Sequence, residues 1–474
     1  MTGPGTVAHP LRVAIVGAGP TGYYVAEALF RQPDMVVSVD LFDRLPTPYG
    51  LVRAGVAPDH QKIKAVTAAF DRVAANPRFR FFGCVELGKD VTVEDLRRHY
   101  HQIVYATGAQ SDRRMGIPGE DLRGSHPATE FVAWYNGHPD FRDQEFDLSH
   151  ERAAVVVVGN VAVDVARMLC RTPEELQRTD VADHALEALR KSRVREVYLL
   201  GRRGPAQAAF TNPEIKELGE LADADIGAVA GEVELDALSR AALDRNPDRS
   251  TQKKVEILQA YATRQPTGKS RRLVLRFLVS PVALLDDGAG AVGAIRLARN
   301  RLLATPAGTL QPRPTGEEEV VPVGLVFRSV GYRGVPLPGV PFNDDWCVIL
   351  NDRGRVLDPD DKRPRTGEYT AGWIKRGPTG VIGTNKPDAA ETVACMMEDL
   401  AASRTLLPAE PDSAAVERLV RDRQPRCVSY ADWLRLDAIE TARGRDCGRP
   451  RVKFTGIDEM LAALGRPPGH VPCP

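Results

Sequence analysis

An apolar run that ends in a glycine turn and feeds a helix, Val13-Ala14-Ile15-Val16-Gly17-Ala18-Gly19-Pro20-Thr21-Gly22, constrains this chain more than any other feature. Gly17, Gly19 and Gly22 permit a tight bend, let backbone approach a pyrophosphate, and let helix and strand pack closely. The helix is expected to run to about Arg31, and Val36 to Asp43 supplies the next strand. Strand, turn, helix and strand in that order make a β-α-β unit, which commits the chain to a parallel sheet flanked by helices. A second run, Val155-Val156-Val157-Val158-Gly159-Asn160-Val161-Ala162-Val163-Asp164, repeats the pattern with a single glycine. Two such units predict an α/β fold with two Rossmann-like dinucleotide-binding domains, built to bring two dinucleotides together.

The residues at the end of the second strand distinguish the two units. Asp43 closes that strand in the first unit. An acid there accepts hydrogen bonds from a free ribose diol, so FAD or NAD is expected rather than NADP. In the second unit Arg202 and Arg203 stand at the equivalent strand end. Two guanidinium groups pair well with an additional phosphate, such as the one on the 2′ position of NADPH. Together these signs assign FAD to the first unit and NADPH to the second. The second turn is altered, and two alignments are open. Without a gap, Val157 takes the place of the first glycine, where a β-branched residue is strained or excluded. With two turn residues deleted, Gly159 is itself the first glycine.

The length of 474 residues suffices for two or three domains with full cores. The 63 basic and 63 acidic residues cancel, which argues against nucleic acid or an anionic membrane as the main partner. No apolar stretch approaches the roughly 20 residues that span a bilayer. Met1 to Pro10 has neither the basic start nor the hydrophobic core of a signal peptide. The seven cysteines, at 84, 170, 347, 395, 427, 447 and 473, form no C-x-x-C pair. Hence no disulfide framework, iron–sulfur site or structural zinc is expected, and a reducing cytoplasm fits best. Cys473, next to last, is misplaced for prenylation.

The pattern along the chain predicts a helix over about 61–75, a buried strand within 101–109, and a crossover at Gly116 to Glu120. The second unit is expected to have its helix from Val161 to Leu169 and a strand over 196–203. Residues 232–263 read as helical and charged, and 270–330 as short strands with turns. Pro336, Pro338 and Pro341 mark a return crossover. An extended segment over 369–373, a helix from about Pro387 and a largely helical tail complete the pattern. The expected organisation is an FAD-binding domain made of residues 10–112 and 333–474, with an NADPH-binding domain, 113–332, inserted in it.

Longer segments carry a resemblance to a known family. They include Pro46-Thr47-Pro48-Tyr49-Gly50-Leu51-Val52-Arg53, Gly55-Val56-Ala57-Pro58-Asp59-His60 and Gly201-Arg202-Arg203-Gly204-Pro205. The most diagnostic is Gly372-Trp373-Ile374-Lys375-Arg376-Gly377-Pro378-Thr379-Gly380-Val381-Ile382-Gly383-Thr384-Asn385. From about Leu11 to Leu464 the chain resembles the adrenodoxin reductase family, in particular its actinobacterial-type NADPH-ferredoxin reductases. The resemblance implies one non-covalent FAD and NADPH as hydride donor. It implies FAD contacts at Thr21, Asp43 (in place of the more usual glutamate), Leu51, Val85, Trp373, Gly380, Val381 and Ile382. For NADPH it implies Gly159, Asn160, Val161, Ala162, Arg202, Arg203, Glu214 and Gly380. His60 and Glu217 resemble the family's polar pair, with a role in positioning or proton handling. Asp164, one turn into the second helix, reads as a supporting residue.

The activity so implied is transfer of a hydride from NADPH to FAD, then of single electrons to a ferredoxin-type iron–sulfur protein, with a cytochrome P450 further downstream. Two rival readings stay open at this point. One is a flavin-dependent oxidase or monooxygenase, since the lack of C-x-x-C removes a disulfide reductase. The other is a flavin-binding redox partner or scaffold whose NADPH use is impaired by Val157 and Val158.

Overall fold

The computed structural model describes residues 3–466, so Cys473 lies outside the described residues. The described chain divides into two compact units: residues 3–56, 60–111 and 331–466 belong to the first, and 57–59 with 112–330 to the second. The second is thus a long insertion into the first.

The first unit is laid on strands β1 (Leu11–Val16), β2 (Val37–Phe42), β3 (Phe79–Phe82) and β4 (Gln102–Tyr105). They pair in parallel in the order β4-β1-β2-β3. The register sets Ile15 against Leu41 on one side and Val104 on the other. β1 is buried along its whole length, as a strand covered by helices on both faces must be. Helix α1 (Pro20–Phe30) starts with Pro at its first position and Gly19 as its cap. The expected helix over 61–75 is interrupted, giving α3 (Gln61–Lys64) and α4 (Thr67–Ala74), preceded by the short α2 (Leu51–Ala54). Around the interruption the N–H groups of Val66, Ala68 and Ala69 bond three residues back, a local 3₁₀ tightening that composition does not announce.

The second unit holds a six-stranded sheet of β5 (Ser125–Pro127), β6 (Arg152–Val156), β7 (Glu196–Leu200), β8 (Ala224–Ala228), β9 (Arg271–Arg276) and β13 (Leu325–Arg328). Its order is β5-β13-β6-β7-β9-β8, all parallel. Helix α5 (Asn160–Cys170) comes after β6, and helix α6 (Asn212–Leu218) after β7. Where short strands are expected, the structure has a separate antiparallel sheet of β10 (Val279–Asp286), β11 (Val292–Ala304) and β12 (Leu310–Pro322), the last two of 13 residues each. Most of β12 is exposed, and Pro312, Pro314 and Gly316 interrupt its pattern, which hides the length of the strand in the sequence.

The chain then returns to the first unit through β14 (Asn351–Asp352), β15 (Arg355–Leu357) and β16 (Pro364–Thr370), and β16 joins β4 in parallel. Trp373, expected in extended chain, instead opens the short helix α7 (Trp373–Arg376). Gly372 turns the chain with φ +79°, and its carbonyl accepts from the N–H groups of Lys375 and Arg376. Helix α8 (Asn385–Ala401) comes next, then tail helices Ser413–Arg423, Tyr430–Asp446 and Ile457–Ala463.

No helix among the described residues is long and apolar enough to cross a membrane. Among them no cluster of three metal-ligating side chains occurs, and the six described cysteines are free.

One edge of the second unit's sheet is a pH-sensitive spot. The His126 ring packs against Phe146 (4.8 Å) and Phe327 (6.0 Å). Burial, and then the charge of Arg328, push its pKa down from 6.5 to about 4. The fold therefore favours the neutral ring. Its contribution is complete above pH 6.5 and is lost as the pH falls towards 4. Relative to His126→Phe, the parent protein should lose up to about 2 kcal/mol of unfolding free energy between pH 7 and 4.5, after allowance for partial solvent screening. Denaturant melts of the pair across that range check this, and parallel pH profiles would refute it.

Candidate functional site

In the first unit the residues singled out by sequence converge on the β1–α1 turn. Gly17 has φ +110°, and its N–H donates to Phe42 O at 2.8 Å. A Cβ on Gly17 would stand 2.5 Å from Ala106 O, and one on Gly22 would stand 2.2 Å from Gly17 O. Gly19, between them, faces open space with nothing within 4 Å of such a Cβ. The turn therefore packs tightly behind and leaves room in front, where the N-terminus of α1 offers N–H groups and the positive end of its dipole.

Asp43 braces this turn. Its carboxylate accepts from the Ala18 N–H at 2.8 Å and the Leu45 N–H at 2.9 Å. Burial raises its pKa, and these two hydrogen bonds oppose the rise. Each oxygen keeps a lone pair for a further donor such as a ribose hydroxyl. The buried Val85 is tied to the same residue, its N–H donating to Asp43 O at 2.9 Å. Leu51 starts α2, and the preceding Gly50 lies so close that a Cβ there would meet Gly19 Cα at 2.9 Å. Tyr49 N–H donates to Ala18 O at 2.7 Å, so the Pro48-Tyr49-Gly50 segment is fastened to the glycine turn.

The 372–385 segment reaches the same place. A Cβ on Gly372 would meet Thr21 Oγ1 at 2.3 Å, which puts the start of α7 against α1. Trp373 is half-buried rather than a core residue; its indole N–H donates to Thr379 O at 3.1 Å and its ring lies 5.5 Å from that of Tyr332. Gly380 has φ +79°, and Val381 caps a 3₁₀ turn, Ile382–Thr384, that leads into α8. N–H groups at such a start have no acceptor within their own helix. Asp388, which sequence reasoning missed, and Arg376, read from the sequence only as part of the diagnostic segment, organise this loop. Asp388 on α8 accepts from Gly372 N–H at 2.5 Å and lies 3.2 Å from Lys375 Nζ. Arg376 donates to Thr379 O at 2.6 Å and Asn385 Oδ1 at 2.8 Å. Their signal was present only as polar residues within a long family match.

In the second unit the gapless alignment holds. β6 ends at Val156 and α5 starts at Asn160, with Gly159 as its cap, as β1 ends at Val16 and α1 starts at Pro20 after Gly19. Val157 stands where Gly17 stands and has φ +86°, a conformation rarely open to a β-branched side chain. Gly159, like Gly19, faces open space. Asn160 presents a buried Oδ1 that has no hydrogen-bond partner, Val161 is half-buried, and Ala162 is fully buried against the sheet.

Beside this turn lies a cavity of about 380 Å³, lined by Val157, Val158, Arg202, Arg203, Arg114 and Ser280. Arg114, which sequence reasoning did not pick out, comes from the start of the unit and pairs with Asp121, with Glu120 at 3.7 Å. Arg202 is exposed, and Arg203 donates to Gln207 O at 3.4 Å. Open cap, unpartnered amide oxygen and three guanidinium groups make a chemically suitable cradle for a phosphorylated dinucleotide.

Glu214 and Glu217 lie on α6, which packs against α5. Glu214 serves as the capping-box partner of Thr211, accepting from its N–H and hydroxyl at 3.0 Å. Glu217 lies 3.9 Å from Nη1 of the fully buried Arg167. Asp164 and Asp59 hold that same guanidinium at 2.6 Å each, so Asp164 has the supporting part its position suggested. Burial would lower the Arg167 pKa, and these carboxylates raise it beyond the usual range. His60 belongs to the first unit, at the N-cap of α3.

Comparison with known proteins matches this arrangement. Residues 11–203 fit the family model described as pyridine nucleotide-disulphide oxidoreductase. The NADPH-ferredoxin reductase FprA of Mycobacterium tuberculosis is 45% identical over 464 residues, covering 96% of this chain and 99% of its own. The mitochondrial NADPH:adrenodoxin oxidoreductase of Homo sapiens is 42% identical over 96% of this chain and 92% of its own. The solved structure of Mycobacterium tuberculosis FprA in complex with NADPH superposes with a TM-score of 0.89 at 44% identity, covering 96% of this chain and all of that one. With relatives this similar over nearly their whole length, and with two Rossmann-type units carrying unlike turns, the chain belongs to the adrenodoxin reductase family of NADPH-ferredoxin reductases.

Proposed function

We propose that this chain is an FAD-dependent NADPH-ferredoxin reductase, with residues 10–112 and 333–474 as the FAD domain and 113–332 as the NADPH domain. The observation that carries the reading is the inequality of the two turns: an acid braces the first, while the second opens on a cavity with Arg114, Arg202 and Arg203. When bound, FAD supplies the step from a two-electron hydride donor to single-electron delivery, which nicotinamide chemistry avoids.

The chain's own residues hold and orient. Gly17, Gly19, Thr21 and Gly22 form the seat of the FAD pyrophosphate, and Asp43 takes the ribose. Leu51, Val85 and Trp373 flank the flavin. Gly380, Val381 and Ile382 would offer N–H groups to a bound flavin, whose negative charge grows on reduction, and Gly380 would also border the nicotinamide. Gly159, Asn160, Val161 and Ala162 receive the NADPH phosphates, Glu214 the adenosine side, and Arg202 with Arg203 the 2′-phosphate. His60 and Glu217 position the reacting ends or handle a proton. The partner is a ferredoxin-type iron–sulfur protein, a cytochrome P450 stands further downstream, and the compartment is the cytoplasm, in keeping with the free thiols.

Anaerobic titration with NADPH tests the reading. Prompt bleaching of the visible flavin band is expected, and then cytochrome c reduction that rises on addition of a ferredoxin. Slow or absent bleaching at normal FAD content would support the scaffold reading, which the Val157 backbone favours. Rapid NADPH oxidation with peroxide and no response to ferredoxin would support an oxidase. Arg202→Ala should raise the KM for NADPH about tenfold or more, the worth of a charge-assisted hydrogen bond, and leave NADH kinetics unchanged. Equal rates with NADPH and NADH in the parent would remove the 2′-phosphate assignment.

A further inference from the structure

The antiparallel sheet β10–β11–β12 borders the second unit's cavity through Ser280 of β10, and one residue of its middle strand reaches the arginine turn. Asn300, 7% exposed, donates through Nδ2 to Arg202 O at 3.0 Å and to Ser280 Oγ at 2.8 Å. Its own N–H donates to Leu278 O at 2.7 Å, while Leu278 N–H donates to Arg203 O at 3.2 Å and Val279 N–H to Gly201 O at 3.0 Å. Three successive carbonyls of the turn, those of Gly201, Arg202 and Arg203, are therefore held from this side. Asn300 lies next to an irregularity: Ala298 faces Glu318 on β12, but Asn300 faces Pro314. Such register shifts re-aim a side chain out of the regular alternation.

The arginine turn needs outside support. Among the described residues neither Arg202 nor Arg203 forms an ion pair with a carboxylate. Burial, and then the like charge of Arg202, lower the pKa of Arg203, so the two guanidinium groups repel each other in the free protein. With no anion of its own to gather them, the turn takes its position from the backbone, and the only side chain holding the backbone of Arg202 among the described hydrogen bonds is that of Asn300.

We propose that Asn300 is a positioning residue for coenzyme choice: by fixing the backbone of Arg202 it aims both guanidinium groups at the 2′-phosphate, and so sets the preference for NADPH over NADH without touching the nucleotide. The proposal rests on reading Arg202 and Arg203 as the phosphate-binding pair. It makes the antiparallel sheet part of the specificity apparatus rather than an appendage of the fold.

The test uses the full-length FAD-loaded protein with Asn300→Ala and Asn300→Asp. The second keeps the side-chain shape but has no N–H to offer, so it loses the bond to Arg202 O and can only accept from the Ser280 hydroxyl to which Asn300 donates. Both should raise the KM for NADPH about tenfold with kcat, FAD content and NADH kinetics unchanged. Calorimetry with adenosine 2′,5′-bisphosphate should show about tenfold weaker binding, and with adenosine 5′-monophosphate no change. Arg202→Ala serves as the control. If it leaves bisphosphate binding intact, the reading of the arginines fails. If it weakens that binding while both Asn300 variants do not, the inference about Asn300 fails. Equal weakening of both adenosine ligands, or failure of both variants to fold, assigns Asn300 a purely structural part and overturns the proposal.

Discussion

Gly17→Val protein is expected to emerge without FAD and to unfold well before the parent. At φ +110° a valine is strained by about 1–3 kcal/mol before any contact is counted. Its Cβ would also meet Ala106 O at 2.5 Å, Ala106 C at 2.7 Å and Thr107 N at 2.9 Å. All three are backbone atoms at the end of β4, which is locked to β1 with Ile15 against Val104. No flexible side chain can move aside, so the turn or the sheet must shift, at a further cost of about 1–3 kcal/mol. Together these take a large share of the roughly 5–15 kcal/mol by which a typical domain is stable. A shift of the turn also moves the Ala18 N–H away from Asp43, the tie that shapes the proposed ribose and phosphate seat. The ratio of flavin to protein absorbance after purification, with a thermal melt, decides. A variant that purifies with a full complement of FAD and the parent's melting temperature would sink the idea that this glycine is structurally obligatory.

Local features were legible in the sequence, and features made by distant segments were not. The order strand, glycine turn, helix, strand needs only neighbouring residues to be recognised, so both Rossmann-type units and the ends of β1, β2 and β6 could be read within a residue or two, while β7, expected over 196–203, stops at Leu200 where the arginine turn begins. Asp43 and the Arg202–Arg203 pair were also visible, because their place relative to a strand end is itself local. Arg114 was not: it lines the cavity with Val157 only because the start of the unit folds back beside β6. Asp388 was missed for the same reason, as its bond to Gly372 spans the loop between α7 and α8. Strands were expected over 270–330, but the length of β11 and β12 was not legible, because a solvated antiparallel pair need not alternate apolar and polar residues, and Pro312, Pro314 and Gly316 read as breaks. Glu214 shows a subtler limit. Its position could be named from the resemblance, but its capping-box bond to Thr211 depends on where α6 begins.

The altered second turn yields the sharpest remaining expectation. Val157→Gly should leave overall stability within about 1 kcal/mol of the parent and yet tighten NADPH binding roughly tenfold. Relief of a β-branched residue at φ +86° contributes about 1–3 kcal/mol. Against this stand about 0.5–1 kcal/mol for the added backbone freedom of glycine and about 0.8 kcal/mol for each buried methyl lost from the half-buried side chain. Val157 packs beside the core formed by Val156, Leu200 and Val326, so some apolar contact does disappear. The opposing terms nearly cancel in the fold. They do not cancel in the site, because Val157 forms part of the cavity wall next to the open face of Gly159. Removing its isopropyl group widens the approach to the α5 N-terminus, where N–H groups and the helix dipole favour phosphate. The dissociation constant for NADP⁺ from flavin difference spectra, with a denaturant melt as control, checks both halves. Unchanged affinity at unchanged stability would mean that the phosphates take a path past the turn that Val157 does not obstruct. Weaker binding would mean that the valine is itself a wall the coenzyme uses, and that the strained backbone is retained for that contact.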